Sequence, residues 1–400
     1  MSLQTLKKST YFTILSALAA GINFLYYPVI ATLLTTERFG DVQIGVSFIM
    51  LFGALFTSLG VLALYLSATK TTTSGMFHIE RLMMLVSLAG AMSLIAFHQP
   101  IATALQLHNS SLLFLLAFIF LINIPAGTWV GALQGNGQFI SSGWISVASA
   151  TAKIIFSVIF ISLGLGAHGA LMGMAVGSLL ILPLVLFFQS TSTVKISQTF
   201  GRFRRDDWQY VKNHRSILFL LVALIGLALT SSLDIIFAKA LFSPTEAGNF
   251  AKASTAAKIP LFSVLPIALI LFERFIKKNI NVPIAVTVYI GVVGLLSMLV
   301  YAFQRVILHS AFSFTGDGLL FTPLLIAFST LSITYLFAYL GIALKHLRRV
   351  FIGIFAGLTC VLGGLFIAST TPLQLSYSFL AGQVVLLFLM LAVLYTMRHE

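Results

Sequence analysis

The sequence predicts an all-α integral membrane protein with about twelve transmembrane helices arranged in two six-helix lobes. Its 400 residues are 59% hydrophobic and only 8% charged, whereas roughly a quarter of the residues of a soluble domain are charged. Apolar runs of about 20 residues, the length that crosses the hydrocarbon core of a bilayer, follow one another along the chain. Basic residues concentrate in alternate connections between these runs, and this bias predicts the orientation in the membrane.

The predicted spans follow in order, and short polar turns separate most of them. The first lacks a small-residue cleavage site after a short apolar core, so it is predicted to be a retained helix and not a secretory signal. The spans are residues 10–34, 42–68, 82–97, 112–133, 142–164, 169–188, 217–242, 247–272, 282–303, 318–344, 350–368 and 373–397.

The distribution of Lys and Arg predicts that both termini are cytoplasmic. With the N-terminus inside, seventeen of the 23 basic residues fall in inside connections and tails. Only Arg38 and Arg305 fall outside, and the others lie within or at the ends of helices. Cytoplasmic segments of membrane proteins carry such an excess of positive charge.

The longest inside connection predicts the division into an N-terminal lobe, residues 1–189, a cytoplasmic linker, 190–216, and a C-terminal lobe, 217–400. A shift of 208 residues aligns 33–35 and 39–41 with 241–243 and 247–249. This weak repetition predicts a duplicated six-helix unit whose two copies share one orientation. The linker holds a basic cluster that could contact anionic lipid or simply be solvated: Arg202, Arg204 and Arg205.

The sequence gives no basis for enzymatic chemistry. Eight histidines show no ligand spacing, and Cys360 is the single cysteine, so neither a metal site nor a disulfide is predicted. Residues 164–169 fit a Gly-x-Gly-x-x-Gly pattern, but they follow a membrane helix, so a tight glycine turn is predicted there. The net charge of +13 is explained by the inside connections. No cofactor and no nucleic acid partner is expected.

Charged residues inside the predicted helices are the strongest functional signal. A lipid-facing charge at the bilayer centre costs about 2.5 to 3.5 kcal/mol on insertion scales, so Lys153, Asp234, Lys252 and Lys258 are expected to face the protein interior. Lys153 lies on a stripe of serines along one helix face. Lys239, by contrast, is expected to lie near the outer interface, where it can snorkel to water.

Three interior lysines against one interior acid predict a cationic cavity that attracts an anionic passenger. The structural alternative is that Asp234 and a lysine form an inter-helix ion pair, and the sequence does not decide between these roles. Asn23 and Pro28 interrupt the first helix, and Asn23 joins the four charged residues as a candidate substrate-binding residue.

Three stretches of the chain, residues 31–60, 132–170 and 232–260, carry a family resemblance. They resemble the polysaccharide-biosynthesis (PST, Wzx-like) flippases of the multidrug/oligosaccharidyl-lipid/polysaccharide (MOP) exporter superfamily. The resemblance implies MATE-like lobes around a central cavity and flipping of an undecaprenyl-pyrophosphate-linked oligosaccharide by alternating access. It also implies a place in the bacterial inner membrane, in O-antigen or lipopolysaccharide assembly, with other polysaccharide assembly proteins as candidate partners.

Two other functions stay open. A MATE-like drug or cation antiporter would depend on Asp234 more than on the lysines. A membrane glycan polymerase or ligase would place its chemistry in a large outer loop, but the longest outer connection, residues 304–317, is short.

Overall fold

The computed structural model describes residues 3–50, 53, 74–135, 138–189, 215–276, 280–344, 346–367 and 370–398. These residues are almost entirely helical. Most of the predicted linker, with Arg202, Arg204 and Arg205, lies outside the described residues.

In the described part of the chain, seven helices precede the linker. They are α1 Leu3–Leu33, α2 36–50, α3 Ser74–Ala96, α4 His98–Ala104, α5 Leu112–Gly135, α6 Phe139–Phe160 and α7 Gly166–Gln189.

The remaining described helices follow the linker. They are α8 Arg215–Thr230, α9 Leu233–Leu241, α10 Pro244–Ala257, α11 Ile259–Ile276, α12 Val282–Ala302, α13 Phe321–Ala343, α14 Leu347–Ile367 and α15 Pro372–Arg398.

Seven helical stretches in the described residues are long and apolar enough to cross a membrane, or up to nine if two bent pairs each form one span. The bent pairs are α3 with α4, at 74°, and α8 with α9, at 51°. This supports a multi-pass membrane protein. The count of twelve spans and the cytoplasmic termini stay predictions.

The predicted glycine turn between the fifth and sixth spans is present. One apolar stretch, Ile140–Phe188, runs over both α6 and α7. Gly164 has φ +87° and Gly166 φ +53°, a backbone region that glycine enters at little cost. The chain therefore reverses here through a short π-helical turn, Ile161–Leu165.

Small residues let α7 pack closely on the serine stripe of α6. The Ser149 hydroxyl donates to the Gly177 carbonyl at 2.8 Å, and the Ser157 hydroxyl donates to the Ala170 carbonyl at 2.9 Å. A Cβ added at Gly173 would collide with the backbone and hydroxyl of Ser157. The stripe therefore includes residues of a helix packing face.

Gly173→Ala is expected to destabilise the protein, because overpacking a close helix contact typically costs about 1 to 3 kcal/mol. The midpoint of thermal unfolding in detergent should fall by several degrees. Gly291→Ala is the matched control, since a Cβ there meets nothing within 4 Å. Equal midpoints for the two variants would contradict this account of the α6–α7 contact.

Contacts between Cα atoms divide the chain into two compact units. The first comprises Met1–Tyr26 with Phe48–Leu221, and the second comprises Tyr27–Ser47 with Val222–Glu400. The end of α1 and most of α2 thus cluster with the C-terminal half of the chain. The division within α1 falls next to Pro28. The predicted lobes, 1–189 and 217–400, stay a prediction.

The core of the second unit surrounds α13, most of whose residues are buried. Hydroxyl groups of this helix are satisfied by carbonyls one turn earlier, such as Ser332 to Phe328 at 2.9 Å. The Tyr289 hydroxyl donates to the Ser332 carbonyl at 3.2 Å. Buried polar groups in a membrane protein need such internal partners, because lipid offers none.

Candidate functional site

Lys153 and Asn23, two of the predicted site residues, are in contact within the first unit. The Lys153 Nζ on α6 donates to the Asn23 Oδ1 on α1 at 2.9 Å. The same Nζ lies 4.3 Å from the centroid of the Tyr26 ring, within the range of a cation–π interaction. Lys153 is half-buried.

Tyr26 is a residue of this site that the sequence analysis missed. Its side chain is fully buried, and its hydroxyl donates to the Ala170 carbonyl on α7 at 3.1 Å. This bond fixes the ring beneath the Lys153 ammonium. The spacing from Asn23 was an available signal, because residues three apart share one face of a helix.

Lys258 and Asp234, two further predicted residues, form a buried ion pair in the second unit. The Lys258 Nζ lies 3.2 Å from Asp234 Oδ1, and the Ser254 hydroxyl also donates to this carboxylate. Asp234 is in the first turn of α9, just after the bend, where a helix N-terminus favours negative charge. This geometry is the ion pair that the sequence analysis left open as the structural alternative.

Lys252, the remaining predicted lysine, is buried among neutral oxygens of the second unit. Its Nζ donates to the Thr36 hydroxyl and to the Ser313 carbonyl, both at 3.0 Å. Within the described ranges no carboxylate lies within ion-pairing distance of this ammonium. Its charge is therefore solvated by dipoles and not neutralised.

Lys239 corrects a prediction, since it does not snorkel to the interface. Its side chain is 2% exposed, and its Nζ lies 2.8 Å from Oδ1 of Asp41, whose side chain is also buried. The prediction was wrong because Asp41, which lies between the first two predicted spans, belongs to α2 and supplies a buried counter-charge to Lys239 within the second unit. Asp234 is consequently not the one well-buried acid.

The revised charge balance of the second unit is still positive. Its buried charged side chains in the described part of the chain are three lysines and two aspartates: Lys239, Lys252, Lys258, Asp41 and Asp234. Two lysines have carboxylate partners and Lys252 has neutral ones. The excess of buried positive charge is thus smaller than the sequence predicted, and in the second unit it is located at Lys252.

No protein-family model matches the chain, and no curated protein sequence matches it. Solved structures do match over nearly the whole length. One is a MOP superfamily transporter from Pyrococcus furiosus, with a TM-score of 0.69 at 15% identity over 99% of this chain and 95% of that one. The reversed polarity of that protein's binding pocket suggests a different function for it.

Two conformations of a multidrug resistance MATE family transporter match as well. The inward-facing form has a TM-score of 0.68 at 13% identity over 95% of both chains. The outward-facing form has the same TM-score at 14% identity, over 98% of this chain and 96% of that one. The chain therefore has the fold of MATE transporters of the MOP superfamily.

Proposed function

We propose that the protein is a transporter that flips a polyprenyl-pyrophosphate-linked oligosaccharide from the inner to the outer leaflet of the bacterial cytoplasmic membrane. It would work by alternating access and supply surface polysaccharide assembly, and it would not be an enzyme. The fold supports membrane transport in general, and the choice of an anionic lipid substrate depends on the lysines.

The observation that carries the proposal is the setting of Lys153. Its ammonium lies over a fixed aromatic ring and donates to the amide oxygen of Asn23, and the residue is half-buried. A phosphate oxygen can replace the amide oxygen as acceptor with a gain, because the ammonium then also has the attraction of an opposite charge, which the neutral amide does not supply. The pyrophosphate of the lipid-linked oligosaccharide would bind the Lys153 ammonium and displace the Asn23 amide oxygen.

The second candidate is a drug or cation antiporter, which the fold supports equally. Such a protein needs an acid that can receive a cationic ligand. Asp234 already accepts from Lys258 and Ser254, and Asp41 is paired with Lys239. A cation would have to displace a lysine from either acid, and this favours the anionic substrate. A glycan polymerase or ligase has less support, since the matching structures are transporters.

Reconstitution separates the two candidates. Purified protein in liposomes is expected to speed the flipping of a polyprenyl-pyrophosphate oligosaccharide by at least tenfold over protein-free liposomes. A cationic dye should leak at the same rate with and without the protein under a sodium or proton gradient. Gradient-driven dye movement with no effect on the lipid-linked glycan would overturn the proposal in favour of the antiporter.

A further inference from the structure

The turn between α1 and α2 is part of the second unit, and charged and polar contacts join it to residues that follow the linker. We define residues 33–41 as the α1–α2 corner. The corner supplies Asp41 to Lys239 at 2.8 Å and the Thr36 hydroxyl to Lys252 at 3.0 Å. The Thr245 hydroxyl donates to Glu37 Oε1 at 3.0 Å. By the predicted topology, this corner lies at the outer side of the membrane.

Equivalent residues of the internal repeat meet at this contact. Glu37 and Thr245 are 208 positions apart, which is the offset of the repeat found in the sequence. Gly40 and Gly248 have the same offset, and a Cβ added at Gly40 would lie 3.3 Å from the Gly248 Cα. In transporters built from repeats, alternating access is largely a rocking of one repeat against the other, and such a movement would change a contact between the two repeats.

Lys239 and Lys252 both bind oxygen atoms of the corner. Asp41 is the one carboxylate at Lys239 among the ion pairs that the structure describes. Lys252 would keep the Ser313 carbonyl without Thr36. If the corner moved away, Lys239 would lose its counter-charge and Lys252 would lose one of its two oxygen partners, and both are buried residues, now 1% and 2% exposed. Such groups are costly inside a membrane protein and attract an anion.

We propose that Lys239 and Lys252 form a second anion-binding site, which takes a phosphate or pyrophosphate group when the corner withdraws and which Asp41 occupies in the closed state. The movement of the corner rests on the proposed transport function, but the binding site does not. Asp41 acts as an internal substitute for the ligand. Lys239 would then bind the ligand in the open state as well as Asp41 in the closed state. The site would bind the substrate's anionic group during its release to the outside.

Removal of the Asp41 charge tests the proposal by binding alone. The purified full chain in nanodiscs is titrated with inorganic pyrophosphate, as the wild type, as Asp41→Asn and as Asp41→Asn with Lys239→Gln. Asp41→Asn is expected to bind at least tenfold more tightly than the wild type, and the added Lys239→Gln should remove the gain. An unchanged affinity in Asp41→Asn would overturn the site.

Two further arms keep the outcome specific. Asp41→Asn combined with Lys153→Gln should bind pyrophosphate as tightly as Asp41→Asn alone, because Lys153 belongs to the first unit. If the added Lys153→Gln removed the tighter binding, the binding would belong to the Lys153 site. That result would overturn this proposal and leave the proposed function standing. A short-chain polyprenyl pyrophosphate is titrated beside inorganic pyrophosphate. A gain for both supports recognition of the free group, and a gain for the lipid alone supports a lipid headgroup site.

A charge swap covers the case in which Asp41→Asn does not fold. Asp41→Lys with Lys239→Asp preserves the ion pair and should restore the amount of protein in the membrane. It reverses the charge that would face the ligand, so flipping of the lipid-linked glycan should fall at least tenfold. Normal flipping by the swapped protein would show a merely structural pair and contradict the proposal.

Discussion

Lys258→Met is expected to lower the amount of folded protein strongly, because it leaves the Asp234 carboxylate buried beside Ser254 without its cation. Removing one partner of a buried ion pair costs about 3 to 5 kcal/mol, a large part of the stability of a typical domain. Asp234→Asn should have a similar effect by stranding the Lys258 ammonium. The measurement is the protein level in the membrane together with the unfolding midpoint in detergent.

The double variant decides whether the pair is structural. Lys258→Met with Asp234→Asn removes both charges, so it should recover much of the lost stability, and the shortfall from additivity measures the coupling. Flipping should recover with it, because we assign the substrate to Lys153. Wild-type protein levels in the Lys258→Met single variant would contradict this account and return Lys258 to the candidate substrate contacts.

Lys153→Ala is expected to abolish most transport while the protein level stays normal. The lysine is half-buried. At the two contacts described here, the Asn23 amide and the Tyr26 ring are neutral, so removing the ammonium leaves no unpaired charge on either of them. Loss of one or two charge-assisted bonds, each about 1.5 to 3 kcal/mol, corresponds to at least a tenfold fall. The measurement is accumulation of lipid-linked glycan on the inner leaflet.

Substitutions at and near Lys153 give the matched controls. Lys153→Arg should retain part of the activity, since the charge survives in a different geometry, and Lys153→Glu should be worse than Lys153→Ala. Thr151→Ala removes a hydroxyl on the same helix that donates to the Val147 carbonyl one turn earlier, at 2.8 Å, and transport should stay at the wild-type level. Equal transport by Lys153→Ala and Thr151→Ala would refute the role of Lys153.

Features that depend on one helix at a time could be predicted from the sequence. The apolar spans follow from composition and length, and the turn at Gly164 follows from glycine spacing. The burial of Lys252 and Lys258 follows from the cost of exposing charge to lipid. Asn23 and Lys153 are both predicted site residues, but the sequence does not predict the hydrogen bond between them, which joins residues 130 positions apart.

Features that depend on which helices meet could not be predicted. A sequence gives the depth of Lys239 along its helix but not the neighbour that supplies its counter-charge, and Asp41 reaches it from the other half of the chain. The position of the α1–α2 corner depends on the burial of Phe39 and Val42 in the second unit. The repeat offset of 208 residues was visible, but the contact between Gly40 and Gly248 was not.

The most direct test of the anionic-substrate assignment is equilibrium binding of a short-chain polyprenyl pyrophosphate to the purified protein in nanodiscs. The wild type is compared with Lys153→Gln, and the corresponding polyprenyl alcohol serves as the ligand control. We expect Lys153→Gln to bind the pyrophosphate at least tenfold more weakly and both proteins to bind the alcohol equally weakly. Equal affinity of the two proteins for the pyrophosphate would contradict the assignment of Lys153 as the substrate contact.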